Sequence, residues 1–373
     1  MDQKLLHTPE GVRDIYKEEC ERKLTLQNHL HEIMKRYGYR DIETPTFEFF
    51  DVFSKEVGTT PSRDLYKFFD REGNTLVLRP DITPSIARAA AKYMGEETDP
   101  VRFCYMGNTF INNSSYQGHL KETTQLGAEL IGDNSVDSDA EIIAMVIESL
   151  LKAGLKEFQV SVGHVNFFES LLKEAGITGE VADDLKHLIS NKNTFGVEEL
   201  LSERNIREDL KQLFVHLPKL YGGKEALETA KSMTENEEAL AALHRLEEMY
   251  EILSIYGVGR YVSFDLGMLS KYMYYTGVIF RAYTFGTGDA VVKGGRYDQL
   301  LGHFGKDAPS IGFVVVVNQL LNALERQKIA LPSPGEPVVL RYRPEDRKEM
   351  IEKAGKMRSE GTYVVLCPEE GLK

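Results

Sequence analysis

The hydrophobic pattern at the start of the chain predicts one long helix followed by short strands. Apolar residues recur at helical spacing between positions 24 and 37. Residues 39–47 alternate as in a strand, and Pro45 indicates that this strand lies at a sheet edge or ends early. Two further strands flank the turn sequence Arg-Glu-Gly-Asn at 71–74 and form a predicted hairpin.

The next pair of strands carries a distinctive polar pattern. Alternation over 101–105 predicts the first strand, and a polar loop leads to a second strand at 124–131. Gln125, Gly127 and Glu129 fall on one face of this second strand. An amide and a carboxylate thus share a face with a glycine between them, which leaves room for a small polar ligand. A solvent-exposed outer face is the alternative.

A helix start is predicted between these two groups of strands. Thr83 is a favourable N-cap residue and Pro84 a favourable first helical residue, so a helix is expected over about 85–93. Asp81 and Thr83 then lie where a strand ends and a helix begins. Their side chains serve either as local caps or as ligand contacts, and the sequence leaves both roles open.

The second half of the chain separates into a helical insertion, further strands and a short tail. Residues from about 176 to 250 show helical periodicity without a strand signal. The pair Gly294-Gly295 favours a tight turn over a phosphate-binding loop, because the full glycine spacing is missing. A proline-rich linker divides residues 1–332 from a strand-helix-strand segment at 333–373. We expect this short segment to lean on another element or to be incomplete.

Composition narrows the class of protein. At 373 residues the chain is longer than one that folds around a single hydrophobic core, and two or three domains are expected. An apolar run of about eighteen residues is missing, so a membrane segment is not expected. Cys20, Cys104 and Cys367 show no metal-ligand spacing, which indicates a reducing cytoplasm and no metal site. The net charge of −13 disfavours a protein whose main task is to bind a polyanion such as tRNA.

In order, these features resemble the class II aminoacyl-tRNA synthetase core, most closely histidyl-tRNA synthetase, over about residues 5–330. The landmarks are TPEGVRD at 8–14, RPDIT at 79–83, QLGAE at 125–129, YY at 274–275 and GGRYD at 294–298. The resemblance implies an α+β fold with an antiparallel sheet flanked by helices, the helical insertion and the short C-terminal α/β segment. It also implies a homodimer.

The sequence departs from the synthetase pattern where that family binds ATP. The arginine that follows the first motif 2 strand and grips the α-phosphate is replaced by Ile111. The motif 3 arginine is replaced by Gln319, and a third arginine position is Ser270, with Lys271 beside it. Losing three charge-assisted contacts costs on the order of 5–9 kcal/mol if the contacts add. The resemblance therefore implies a site that has lost ATP chemistry.

The amino-acid end of the site matches the family. The resemblance implies six histidine-binding positions: Asp81, Thr83, Gln125, Glu129, Tyr274 and Tyr275. Asp81 and Thr83 would hold the α-amino group, and the Glu129 carboxylate would accept from an imidazole N–H. Asp81 replaces the family's usual glutamate, so its contact is expected to be longer or bridged by water.

This combination resembles the regulatory subunits of ATP phosphoribosyltransferase, which act in the first step of histidine biosynthesis. The resemblance implies a non-catalytic, cytoplasmic subunit without a cofactor. It would join a short-form catalytic subunit in a hetero-oligomer, be required for activity and transmit feedback inhibition by L-histidine. A divergent histidine-tRNA ligase and a structural scaffold with a vestigial pocket are the alternatives. The missing arginines, the acidic charge and the short tail disfavour the ligase.

Overall fold

A computed structural model describes residues 6–53, 60–95, 99–113, 120–202, 204, 206–269, 274–331 and 335–369. The helices in these ranges are α1 Lys17–Arg36, α2 Thr83–Tyr93, α3 Val136–Lys152, α4 Val165–Ala175, α5 Glu180–Ser190, α6 Thr194–Ser202, α7 Glu208–His216, α8 Lys224–Ser232, α9 Glu237–Ile255, α10 Val317–Arg326 and α11 Arg347–Ser359. The strands are β1 Arg40–Asp41, β2 Phe47–Phe49, β3 Lys67–Phe69, β4 Thr75–Leu78, β5 Val101–Phe110, β6 Glu122–Ile131, β7 Phe158–His164, β8 Tyr221–Gly222, β9 Val262–Asp265, β10 Val278–Thr284, β11 Val292–Arg296, β12 Ser310–Val316, β13 Val338–Tyr342 and β14 Val364–Pro368. Every helix in these ranges is too short or too polar to span a bilayer.

A nine-stranded sheet forms the centre of the larger part of the chain. Its strand order is β1-β5-β6-β12-β11-β10-β7-β9-β8. The pairs β1/β5 and β7/β9 are parallel, and the other neighbours are antiparallel. The expectation of an α+β fold with a largely antiparallel sheet flanked by helices is confirmed.

The chain divides into two compact units. One contains residues 1–15 and 26–330, and the other contains residues 16–25 and 331–373. In the smaller unit, β13 and β14 pair in parallel with α11 between them in sequence. The strand-helix-strand arrangement predicted for the end of the chain is therefore present.

The helical insertion is interrupted by one short strand. Helices α5 to α9 occupy most of the predicted interval, but β8 pairs antiparallel with β9 at the edge of the large sheet. The expectation of helices without a strand was wrong here. A two-residue strand is too short to produce a period-2 signal in the sequence.

A buried charge cluster ties the last insertion helix to the core. Asp139 on α3 is fully buried and accepts hydrogen bonds from Arg296 Nη2 at 2.6 Å and Arg245 Nε at 2.7 Å. Arg296 lies at the end of β11 and is itself 2% exposed, whereas Arg245 belongs to α9. A buried charge is tolerated only when it is paired in this way.

The strand predicted over 39–47 is two strands in two sheets. β1 pairs parallel with β5 in the large sheet, whereas β2 pairs antiparallel with β4 in a three-stranded sheet. Pro45 lies between them and lacks the N–H that a continuous ladder needs. The predicted hairpin of β3 and β4 is confirmed.

The glycine pair at 294 and 295 lies inside β11 and does not form a turn, so that interpretation was wrong. A Cβ on Gly294 would lie 2.3 Å from Phe280 Cζ and 2.6 Å from the Gly312 carbonyl oxygen. A Cβ on Gly295 would lie 2.9 Å from Tyr275 Cδ1. The two glycines therefore let aromatic side chains pack directly on the sheet backbone.

We expect Gly294→Ala to lower the free energy of unfolding by about 1–3 kcal/mol, because the added methyl group overpacks the contact with Phe280. Gly288→Ala is the matched control, since nothing lies within 4 Å of a Cβ there. The control should change stability by less than about 0.5 kcal/mol. Equilibrium urea unfolding measures both. Equal losses in the two variants would contradict the packing role of Gly294.

Candidate functional site

A pocket of about 310 Å³ opens over β6 and β12, beside the start of α2 and the start of α10. The predicted positions that line it are Asp81, Thr83, Gln125, Glu129, Tyr274 and Tyr275 for the amino-acid end, and Ile111 and Gln319 for the former ATP end. Ser270 and Lys271 lie outside the described residues. Its volume is at the small end of the range for ligand pockets, roughly 300–1,000 Å³.

The sheet register positions the carboxyl group at the centre of this pocket. Glu129 pairs with Gly312 on the neighbouring strand. A Cβ on Gly312 would lie only 1.6 Å from Glu129 Oε2, so the carboxyl group occupies the space that a side chain at 312 would fill. Glycine at this position is therefore required for the observed orientation of Glu129.

The space beside Gly127 is already filled. A Cβ on Gly127 would lie 2.5 Å from the hydroxyl oxygen of Tyr105, which is its register partner on β5. Gly127 is also not among the residues that line the pocket. The expectation that this glycine leaves room for a ligand was wrong, because a protein side chain from the adjacent strand takes the space.

Glu129 is held by two hydroxyl groups. Thr83 Oγ1 donates to Oε1 at 2.8 Å, and the Tyr297 hydroxyl donates to Oε2 at 2.6 Å. The residue is 1% exposed, and this burial raises the pKa of its carboxyl from 4.5 to about 8. The same burial raises the pKa of the Tyr297 hydroxyl well above its usual value, so that it stays protonated as a donor.

The start of α2 differs from the capping pattern expected for Thr83. The helix begins at Thr83 itself with Ile82 as the N-cap residue, and the Thr83 hydroxyl bonds to Glu129 instead of capping. Asp81 Oδ1 does accept from the backbone N–H of Ile82 at 2.7 Å and of Thr83 at 3.4 Å. Of the two residues, Asp81 therefore caps the helix start with its side chain, and Thr83 does not.

Asp81 also faces the aromatic side of the pocket. The Tyr274 hydroxyl donates to Asp81 Oδ2 at 3.3 Å, and burial raises the pKa of the Asp81 carboxyl. The ring of Tyr274 lies 4.8 Å from that of Tyr275 and makes an edge contact with Tyr297 at 5.9 Å between centroids. These rings form a rigid wall that an aromatic ligand ring can contact.

Tyr297 was not predicted as a site residue, although it lies in the GGRYD run used as a landmark. Its hydroxyl donates to Glu129, and its ring lines the pocket. Its position directly after a buried strand was the sequence signal from which a site role could have been inferred. The contact itself joins residues 168 positions apart, which no local pattern reports.

The end of the pocket that was predicted to have lost ATP binding is poor in positive charge. Among the lining residues that the structure describes, Lys293 is the only cation, and its ammonium bonds to Asp289 Oδ2 at 2.7 Å. Gln319 lies on α10, and Asn318 beside it accepts from the Thr124 N–H at 2.8 Å. The lining thus has three carboxyl groups and one ammonium, which is a poor match for a polyphosphate.

Two side-chain amides in the pocket have unused acceptors. The oxygens Gln125 Oε1 and Asn113 Oδ1 are buried and have no hydrogen-bond partner within the described part of the chain. Unpaired buried acceptors are rare in folded proteins and costly. A ligand with N–H donors would satisfy them.

The buried carboxyl of Glu129 predicts a specific dependence of stability on pH. Its folded-state pKa is raised from 4.5 to about 8, so its contribution is complete below pH 4.5 and is lost as the pH rises to about 8. We expect Glu129→Gln to remove a decline of about 1.4 kcal/mol per pH unit over this interval.

Urea unfolding of the ligand-free chain at several pH values measures this slope. Glu122→Gln on the same strand is the control, since Glu122 does not line the pocket. It should keep the wild-type slope. If Glu129→Gln declines as steeply as wild type, the raised pKa of Glu129 is excluded.

Comparison with known proteins places this chain in a family. A histidyl-tRNA synthetase family model matches residues 11–320. The ATP phosphoribosyltransferase regulatory subunit of Acetivibrio thermocellus is 41% identical over 96% of this chain and 86% of its own length. The protein of the same name from Caldanaerobacter subterraneus subsp. tengcongensis is 38% identical over 97% of this chain and 94% of its own length.

Solved structures show the same family resemblance. A Bacillus halodurans C protein described as an ATP phosphoribosyltransferase regulatory subunit/histidyl-tRNA synthetase has a TM-score of 0.90 at 36% identity, covering 99% of this chain and 94% of that one. Histidyl-tRNA synthetase from Nostoc sp. PCC 7120 has a TM-score of 0.81 at 20% identity, over 96% and 85%, and shows the fold alone. The chain therefore belongs to the family of ATP phosphoribosyltransferase regulatory subunits, built on the histidyl-tRNA synthetase fold, and its role is regulatory and not catalytic.

Proposed function

We propose that the pocket around Glu129 binds L-histidine and that its occupancy lowers the activity of a separate, short-form ATP phosphoribosyltransferase catalytic subunit. The protein would thereby serve the first step of histidine biosynthesis as both an obligatory partner and the sensor of the end product. One observation carries this proposal: a single pocket contains groups that suit an imidazole amino acid, whereas the described part of its lining offers a polyphosphate only one ammonium, which is paired with Asp289.

The α-ammonium group and the imidazole of histidine have matching groups in the pocket. Asp81 and Thr83 are placed to hold the α-ammonium group, since a carboxylate and a hydroxyl oxygen both accept hydrogen bonds. The Glu129 carboxyl would accept from the imidazole N–H, and Gln125 offers an unused amide oxygen. Tyr274 and Tyr275 would cover the ring.

Binding a cationic ligand also changes the charge of Glu129. A nearby positive charge favours the ionised carboxylate and so opposes the effect of burial on its pKa. A hydrogen bond to the ionised group contributes roughly 1.5–3 kcal/mol. Glu129 would therefore be neutral in much of the free protein near neutral pH and ionised when histidine is bound.

ATP chemistry is unsupported by the same residues. Ile111 has no polar group to meet an α-phosphate, and Gln319 has no charge. Transfer reactions at phosphate depend on positioned cations that neutralise the transition state. A divergent histidine-tRNA ligase is therefore disfavoured, and we propose that tRNA is not a partner.

We propose that regulation is a coupling free energy between this pocket and the catalytic partner. Histidine would bind one arrangement of a cytoplasmic hetero-oligomer more tightly than another, with this chain present as a homodimer. A coupling of about 1–3 kcal/mol would change the affinity for histidine between the two arrangements by roughly 5–150-fold. We keep residues 1–332 and 333–373 as the proposed domains.

The test is a complex reconstituted from this chain and a short-form catalytic subunit. We expect the complex to be active and to lose activity when L-histidine is added. Glu129→Ala should co-purify with the catalytic subunit and support activity, but resist histidine, because the imidazole contact is gone. Glu122→Ala on the same strand should be inhibited like wild type.

Several outcomes would contradict the proposal. Full inhibition of the Glu129→Ala complex would place the histidine site elsewhere. A catalytic subunit that is equally active alone would remove the partner role. A complex that is active but indifferent to histidine would favour a scaffold with a vestigial pocket.

A further inference from the structure

A second polar cluster lies away from the pocket, at the β1 edge of the large sheet. It consists of His31 on α1, Asp41 on β1 and Cys104 on β5. One ligand-type atom from each residue lies within 4.8 Å of the others. None of the three lines the histidine pocket proposed above.

The backbone fixes this arrangement. Asp41 and Cys104 are register partners in the parallel pair β1/β5, so their side chains project from the same face of the sheet. His31 reaches this face from α1, whose residues Leu30 and Met34 are fully buried. The three residues meet through the packing of one helix on two paired strands, and not through a flexible loop.

The sulfur and one carboxylate oxygen already have the separation of two ligands of a small metal ion. Cys104 Sγ lies 3.5 Å from Asp41 Oδ1, and His31 Nε2 is hydrogen-bonded to the same oxygen. Two ligands of tetrahedral zinc, at about 2.3 Å for sulfur and about 2.0 Å for oxygen, are themselves about 3.5 Å apart. The sulfur and the oxygen already have this separation, and the imidazole needs to withdraw to about 3.3 Å from the oxygen.

The cluster is closed on one side and open on the other. Cys104 is fully buried, whereas the side chains of His31 and Asp41 are 34% and 60% exposed. An ion can therefore enter past the imidazole and the carboxylate and reach the sulfur behind them. Three protein ligands and an accessible fourth position for water are a common zinc arrangement.

The surroundings of Asp41 and Cys104 determine the protonation states of these two side chains. Hydrogen bonds from Lys35 and then from His31 lower the pKa of Asp41 to about 2, so the carboxylate is ionised. Lys35 Nζ bonds to Oδ2 at 2.8 Å and leaves Oδ1 facing the other two donors. This resembles the outer hydrogen bonds that orient metal-binding carboxylates. Burial raises the pKa of the Cys104 thiol to about 12, so metal binding must displace its proton.

We propose that His31 Nε2, Asp41 Oδ1 and Cys104 Sγ bind a divalent transition-metal ion of the zinc class, with water as the fourth ligand. Thiolate, imidazole and carboxylate together suit zinc better than magnesium or calcium, which prefer oxygen alone. The ion replaces the thiol proton of Cys104 and the hydrogen bond between His31 and Asp41. It thereby links α1 to both strands at the sheet edge.

Cobalt titration of the full chain tests this proposal, because a thiolate bound to Co²⁺ gives charge-transfer absorption in the near ultraviolet. Under reducing, oxygen-free conditions, wild type should bind one Co²⁺ with this absorption, and Zn²⁺ should abolish it. Cys104→Ser should lose the absorption. Cys20→Ser and Cys367→Ser are the matched controls and should keep it.

His31→Gln provides a second variant at a partly exposed position, in case Cys104→Ser fails to fold. Changing an outer partner already weakens metal sites about 10–100-fold, so removing a ligand should weaken Co²⁺ binding at least about tenfold. Wild type without thiolate absorption would overturn the proposal and leave the cluster as a hydrogen-bonded contact only. Absorption that survives in Cys104→Ser, or unchanged affinity in His31→Gln, would overturn it as well.

Discussion

The site depends on one buried carboxyl group, that of Glu129. Burying a carboxyl without partners is costly, and here the cost is offset by hydroxyl donors from Thr83 and Tyr297. These donors come from the start of α2 and from the segment after β11, so the carboxyl joins two distant parts of the chain through β6. Gly312 leaves the space in which this group lies. The geometry of the amino-acid end follows from these contacts.

On the proposed function, this constraint explains how a synthetase fold can keep one half of its site and lose the other. The amino-acid end is built into the sheet, where Glu129 and its partners also contribute to packing. The end predicted to have lost ATP binding consists of side chains such as Ile111 and Gln319, which project from the end of a strand and from a helix. Losing positive charge there leaves the buried contacts in place. A fold that retains ligand recognition without chemistry is suited to a regulatory role.

Much of the architecture follows from local patterns. The alternation of apolar and polar residues in β5 and β6 has the two-residue period of a strand, and the Gly-Asn sequence between β3 and β4 indicates a turn. Both patterns can be recognised from residues that are neighbours in the sequence. The spacing of Gln125 and Glu129 on β6 predicted that they share one face of the strand, and both residues line the pocket. The resemblance to a known family supplied Asp81, Tyr274 and Tyr275, which no spacing rule connects.

The errors concern contacts between distant residues. The space beside Gly127 is filled by Tyr105 from the adjacent strand, and Gly294 lies inside β11, where Phe280 packs on it. Thr83 gives its hydroxyl to Glu129, 46 residues away, instead of capping α2. In each case the local preference was sound, but tertiary packing determined the result. The cluster of His31, Asp41 and Cys104 escaped notice for the same reason, since its members come from three elements.

Calorimetric titration of the isolated chain, first with L-histidine and then with Mg-ATP, tests the central claim most directly. The account predicts one histidine bound per chain, no binding heat for Mg-ATP whether or not histidine is present, and loss of the histidine heat in Glu129→Ala. Binding of Mg-ATP in the presence of histidine would contradict it, as would a histidine heat that is unchanged in Glu129→Ala.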